Sequence, residues 1–158
     1  MEKGRSHETA CTENPENAGL SAEELCVKAQ GYRFRKERWA DEQGVPRKKS
    51  LIKFLTDHVD ITGMKKALIL GAADPTEKHL LEEAGIKAVV AIDLNAHHPE
   101  IIKMDMHEIS FPDNEFDLVL ASHSLEHAFD PGKVIYEIYR VLRAGGVFVC
   151  EVPVNYLV

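Results

Sequence analysis

From Lys66 onward the chain alternates short apolar runs with helical patterns, and no other feature limits its possible folds as strongly. The runs are ALILG at 67–71, AVVAI at 88–92, IIKM at 101–104, DLVLA at 117–121 and VFVCEV at 147–152. Most are apolar at successive positions rather than at every second one, the pattern of strands covered on both faces. Between them, a helical pattern runs from about Pro75 to Ala84 and is ended by Gly85. A second runs from about Pro131 to Leu142, with Val134, Ile135, Ile138, Tyr139 and Leu142 expected inward and Gly145 as its stop. Strands alternating with helices predict an α/β fold with a doubly wound, mostly parallel sheet. Right-handed crossovers then favour the strand order 3-2-1-4-5 and a ligand crevice above the carboxyl end of strand 1.

The residues before Lys66 read differently. Residues 1–20 offer almost nothing apolar to offset the entropy of ordering them and are expected to form a flexible tail. Residues 21–62 are expected to form a helical segment, and 63–158 the α/β core. Ser21 and Glu24 have the spacing of a capping box, with Leu25, Cys26 and Ala29 on one face behind them. Pro46 fits the first turn of a second helix, whose Leu51, Ile52, Phe54, Leu55 and Val59 form an apolar stripe that needs a surface to bury against. Tyr32, Phe34 and Trp39 are candidate contacts of a crevice lid. The basic run Arg47-Lys48-Lys49 reads as a solvated helix face.

Charge and composition exclude several function classes. With 19 Lys and Arg against 26 Asp and Glu, the net charge of −7 opposes phosphate backbones and anionic headgroups, so neither nucleic acid nor a membrane is expected as a partner. There is no apolar run of the ~20 residues that span a bilayer and no secretory leader pattern, which gives the expectation of a cytoplasmic protein. Cys11, Cys26 and Cys150 lack the spacing of a disulfide framework or zinc ribbon and are expected to stay thiols.

The turn after strand 1, LILGAADPTEK, retains only Gly71 of a three-glycine nucleotide loop. Asp74 fits an N-cap, Pro75 the first helical position, and Glu77 closes a capping box. A helix start supplied with its own carboxylates disfavours NAD, FAD and nucleoside triphosphates, and no P-loop sequence is present. Asp93 ends strand 2 about 20 residues beyond Gly71, where a carboxylate can accept from both hydroxyls of a ribose. Asp105 ends strand 3, the next neighbour, where it could accept from an exocyclic amine such as that of adenine.

These residues resemble the class I S-adenosylmethionine-dependent methyltransferases, in particular the small-molecule branch called type 11. The resemblance covers roughly residues 65–153 and reads KKALILGAADP, VVAIDLN, KMDMHEISFPDNEFDLVLASHSLEHAFDP and IYEIYRVLRAGGVFVCEVP, the last two pieces being the specific ones. It implies a Rossmann-like core that binds S-adenosyl-L-methionine and transfers its methyl group to a small-molecule acceptor. By the same resemblance, Gly71, Ala72 and Ala73 line the methionine part of the cofactor. Asp93, with Leu94 beside it, holds the ribose, and Asp105 with Met106 contacts adenine. Ser122 and His123 lie near the methionine moiety and the sulfonium, and His123 is the first candidate proton acceptor, ahead of His127 and Glu126.

The sequence departs from that family in two ways. Ile69 stands where the first motif carries an acid, and Ala73 and Pro75 replace its later glycines, so the motif is degenerate. The family's sheet has seven strands, whereas the apolar runs here number five, which predicts strand 5 as an edge that a homodimer partner or the N-terminal helices cover. A non-catalytic binding or assembly module is the alternative function. His123-Ser-Leu-Glu-His127 also spells the H-x-x-E-H metal pattern, but a zinc hydrolase needs a third ligand and a helix through the motif, so no metal is expected.

Overall fold

The computed structural model describes residues 41–153, and the readings made for the tail, for Ser21 to Trp39 and for the last five residues lie outside it. The described elements are helix α1 (Asp41–His58), β1 (Lys66–Leu70), α2 (Thr76–Glu83), β2 (Ala88–Asp93), β3 (Ile101–Lys103), β4 (Phe116–Ser122), a single 3-10 turn (Leu125–His127), α3 (Pro131–Val141) and β5 (Leu142–Glu151). The five strands form one parallel sheet in the order β3-β2-β1-β4-β5, as the alternation predicts.

Period-two alternation along β1 divides the core into two layers. Ala67 and Ile69 face a cluster with Leu81 of α2 and with Leu51, Ile52 and Leu55 of α1. Leu68 and Leu70 face the opposite cluster, with Phe116, Val119, and Val134, Ile138 and Val141 of α3. Each fully buried side chain of this size contributes about 1.5–3 kcal/mol by leaving water, so both faces of the sheet need their helices. The start of the sheet is tied across by Asp117, whose Oδ2 accepts the N–H groups of Lys65 and Lys66 at 2.6 and 2.8 Å while Oδ1 pairs with Arg143.

Helix α2 ends as the sequence predicts. Gly85 takes φ +108°, and the Ile86 N–H reaches back to the Leu81 carbonyl, a Schellman close. Other expectations are corrected. Helix α1 is already formed at Asp41, so Pro46 lies inside it rather than in its first turn, and Phe54 leaves the apolar stripe to stack on His58 in solvent. The α3 stripe is narrower than expected: Val141 goes inward, while Ile135 and Tyr139 are exposed, because the helix ends at Val141 and only one row of it meets the sheet. Gly145 does not stop that helix. It sits at φ +77° in a bulge of β5, where residues 143–146 stand opposite the single Asp117 of β4 between the Phe116–Leu142 and Leu118–Val147 pairs.

Candidate functional site

The strand order reverses between β1 and β4, and the loops leaving the carboxyl ends of β1, β2, β3 and β4 carry the predicted site residues. Gly71 turns the chain out of β1 at φ +70°, a conformation that favours glycine, and a Cβ there would overlap the Ser124 Cβ. The N–H groups of Gly71 and Ala72 both donate to the Ile92 carbonyl, at 2.9 and 3.0 Å, which binds the loop to β2. Ala72 is buried and Ala73 is exposed.

Asp93 is the last residue of β2. It is half-buried, and its Oδ1 accepts the Asn95 N–H at 2.6 Å. Burial pushes its carboxyl above the usual range, against the Asn95 N–H and the nearby His97 charge, which pull it down. Leu94 follows it, also half-buried. Strand β3 ends at Lys103, so Asp105 lies just past the strand rather than at its end. Its Oδ1 accepts from both the backbone N–H and the Nδ1 of His107, at 2.8 and 2.6 Å. Met106 is buried in the α3-side cluster.

Ser122 closes β4 and donates its hydroxyl to Glu151 Oε2 at 2.7 Å, across the Ser122–Glu151 register pair. His123 follows at φ +52°, which swings its ring so that Nδ1 stands 3.5 Å from Glu126 Oε1 and Nε2 stands 3.6 Å from Glu151 Oε2. His127 Nε2 lies 3.7 Å from the same Glu126 oxygen. Among the described residues, no three His, Cys, Asp or Glu side chains are arranged to hold a metal ion.

The structure also brings in residues that the sequence reading assigned elsewhere. Lys48 of the basic run is not solvated: it is buried, with Nζ 2.7 Å from Asp74 Oδ2 and 3.0 Å from Glu77 Oε2. Glu77 therefore turns to α1 instead of closing a capping box, while Asp74 Oδ1 does accept the Thr76 N–H at the helix start. Burial pushes the Glu77 carboxyl up, with the Lys48 charge opposing it; the hydrogen bonds of Asp74 to Lys48 and Thr76 outweigh its burial and hold it low. Arg47 reaches Glu151 Oε2 at 3.5 Å. The basic run itself was the signal for Lys48 and Arg47, but only the packing of α1 against α2 assigns them partners.

Residues 73–150 match the family model described as a methyltransferase domain. Through this stretch the chain belongs to the class I methyltransferases. A sterol 24-C-methyltransferase of Aspergillus fumigatus is 45% identical to this chain over 53 residues, 34% of the chain and 14% of the relative. A demethylmenaquinone methyltransferase of Listeria monocytogenes is 38% identical over 68 residues, 43% of the chain and 28% of the relative. The matched stretches thus span less than a third of those relatives' lengths. Among solved structures, the PH0226 protein of Pyrococcus horikoshii superposes with a TM-score of 0.59 at 26% identity, covering 66% of this chain and 56% of that one. The cyclase SpnF shares the fold at a TM-score of 0.54 and 21% identity, covering 65% of this chain and 44% of that one. A class I fold therefore leaves the reaction to the residues of the site.

Proposed function

We propose that this methyltransferase domain binds S-adenosyl-L-methionine over the carboxyl ends of β1, β2 and β3 and transfers its methyl group to a small-molecule acceptor. The observation that carries the reading is Asp93. A half-buried carboxylate whose burial outweighs its local hydrogen bonds is suited to the two hydroxyls of a ribose, and it stands at the strand end where a bound nucleoside would present them. The glycine turn at Gly71 and the carboxylate of Asp105 fit the two ends of the same molecule. When bound, that cofactor supplies an electrophilic methyl group on a sulfonium.

The rate then rests on alignment, which the Ser122 to His127 segment provides by holding an acceptor against the β4 end. His123 is the proton acceptor in this reading. With Glu126 near one ring nitrogen and Glu151 near the other, a proton taken at either face has a carboxylate beside it. Glu126 and His127 flank that route. The acceptor class is supported by the two curated relatives, whose names specify a sterol and a demethylmenaquinone, both small molecules.

Calorimetric titration with S-adenosylmethionine and S-adenosylhomocysteine tests the reading. We expect both to bind, and Asp93→Ala to weaken them more than tenfold by leaving ribose hydroxyls without a charged acceptor. An unaltered dissociation constant removes Asp93 from the site. Failure of both ligands to bind favours the non-catalytic module, which the occupied helix start at Asp74, Glu77 and Lys48 would suit.

A further inference from the structure

His107 lies in the turn after β3, is only 3% exposed, and bridges that turn to the segment entering α3. The Asp130 N–H donates to its Nε2 at 3.3 Å. A backbone N–H can only donate, so Nε2 carries the lone pair and the ring proton sits on Nδ1. Nδ1 in turn lies 2.6 Å from Asp105 Oδ1, an oxygen that can only accept when ionised, so both contacts agree on one tautomer. The Phe129 ring stacks on the imidazole with centroids 3.8 Å apart and planes 19° apart, which fixes its tilt. The consequence falls on Asp105. Its Oδ1 holds two donors from one residue, the His107 N–H and Nδ1–H, so the carboxylate plane is set, and Oδ2 carries neither of these bonds.

We propose that His107 is a positioning residue for base recognition. Donating from Nδ1, it locks Asp105 so that the carboxylate accepts from the exocyclic amine of a 6-aminopurine and opposes the carbonyl of a 6-oxopurine. The inference rests on the cofactor reading above and adds a residue whose part is to make that site selective. It also ties the base end of the site to Phe129 and Asp130, the residues between the His123 to His127 segment and α3.

Two measurements test it. The first uses 15N-labelled histidine in the unliganded full chain: ring shifts of His107 are expected to report the Nδ1–H tautomer, and an Nε2–H tautomer overturns the proposal. The second titrates S-adenosylhomocysteine and S-inosylhomocysteine. The wild-type chain is expected to prefer the adenine ligand by about 100-fold or more, since a site built around one hydrogen bond strongly rejects the analogue that cannot make it. His107→Leu should bring that ratio below about tenfold, while His107→Asn, which can donate from near the Nδ1 position, should keep most of it. A folded His107→Leu variant that keeps the full ratio, or a wild-type chain that binds both ligands equally, overturns the proposal and leaves the cofactor reading standing. Failure of the wild type to bind either ligand overturns both.

Discussion

At the start of α2, Asp74 and Glu77 share the ammonium of Lys48, which α1 delivers into the interior; at the end of β2, Asp93 is met, among the described residues, by a backbone N–H from its own turn and the nearby charge of His97. Both regions lie at the same edge of the sheet, and in both, burial works against the carboxylate. The difference is the source of compensation. At α2 the protein itself completes the charge balance, and the carboxylates serve to fasten the N-terminal segment to the first turn of the site. At β2 the balance is left short, which is the condition for a ligand's hydroxyls to improve it. Carboxylates near a strand end thus differ in how far the protein itself balances them, and the proposed cofactor site uses the less balanced one.

The largest effect expected from breaking this contrast is at Lys48. Lys48→Met should cost about 3–5 kcal/mol in urea unfolding at neutral pH, because Glu77 would remain buried without its ion-pair partner, with only the more distant charge of Arg47 beside it. Adding Glu77→Leu should recover most of that loss. A cost below about 1 kcal/mol for the single variant would mean that α1 is not fastened by this cluster.

A smaller effect, of opposite sign, is expected at Asp93. Its carboxyl is raised in the folded chain, so the stabilising contribution of the protonated form is complete below the ordinary carboxylate range and is lost as pH rises through the folded value. Asp93→Asn stays neutral throughout and should lose less stability than the wild type between about pH 4 and pH 7. The unliganded variant should therefore match or exceed the wild type at pH 7 by under about 1 kcal/mol, even as cofactor binding falls. Glu77 has the same sign as Asp93. Asp74, held low, runs the other way: its contribution is present above the ordinary range and is lost as pH falls through the folded value. Parallel pH–stability curves for Asp93→Asn and wild type would remove the unbalanced carboxylate from the comparison.

The smallest effect is expected at Glu100, a third carboxylate that also has basic partners, Lys78 and His79, but stands in water. Those partners bring its carboxyl down to about 2, so its contribution is present above the ordinary value and is lost as pH falls through about 2. Solvent screening makes such exposed pairs nearly neutral for folding, and Glu100→Gln should leave the thermal midpoint within the scatter of repeat melts. A clear drop would show that partner geometry outweighs burial, contrary to what Lys48 and Asp93 teach.

The sheet was legible in the residues. Apolar runs covered on both faces, glycine at 85 and the spacing from Gly71 to Asp93 state strand order and strand ends through local geometry and burial, which depend on near neighbours in the chain. The bulge at residues 143–146 was not legible, because it arises from the register against β4. The same holds for the outward turn of Ile135 and Tyr139, since periodicity marks an apolar stripe but not how wide a surface meets it.

At the site, the sequence by itself determined which residues stand at the ends of the strands: Gly71, Asp93, the Asp105 turn and the Ser122 to His127 segment. Tertiary structure alone decided their partners. Lys48 reaches Asp74 across 26 positions, Ser122 reaches Glu151 across 29, and the Asp130 N–H reaches His107 across 23. Strand ends follow from short-range patterning, whereas the balance of charge and hydrogen bonds at each end depends on elements that meet only once the helices have packed on the sheet.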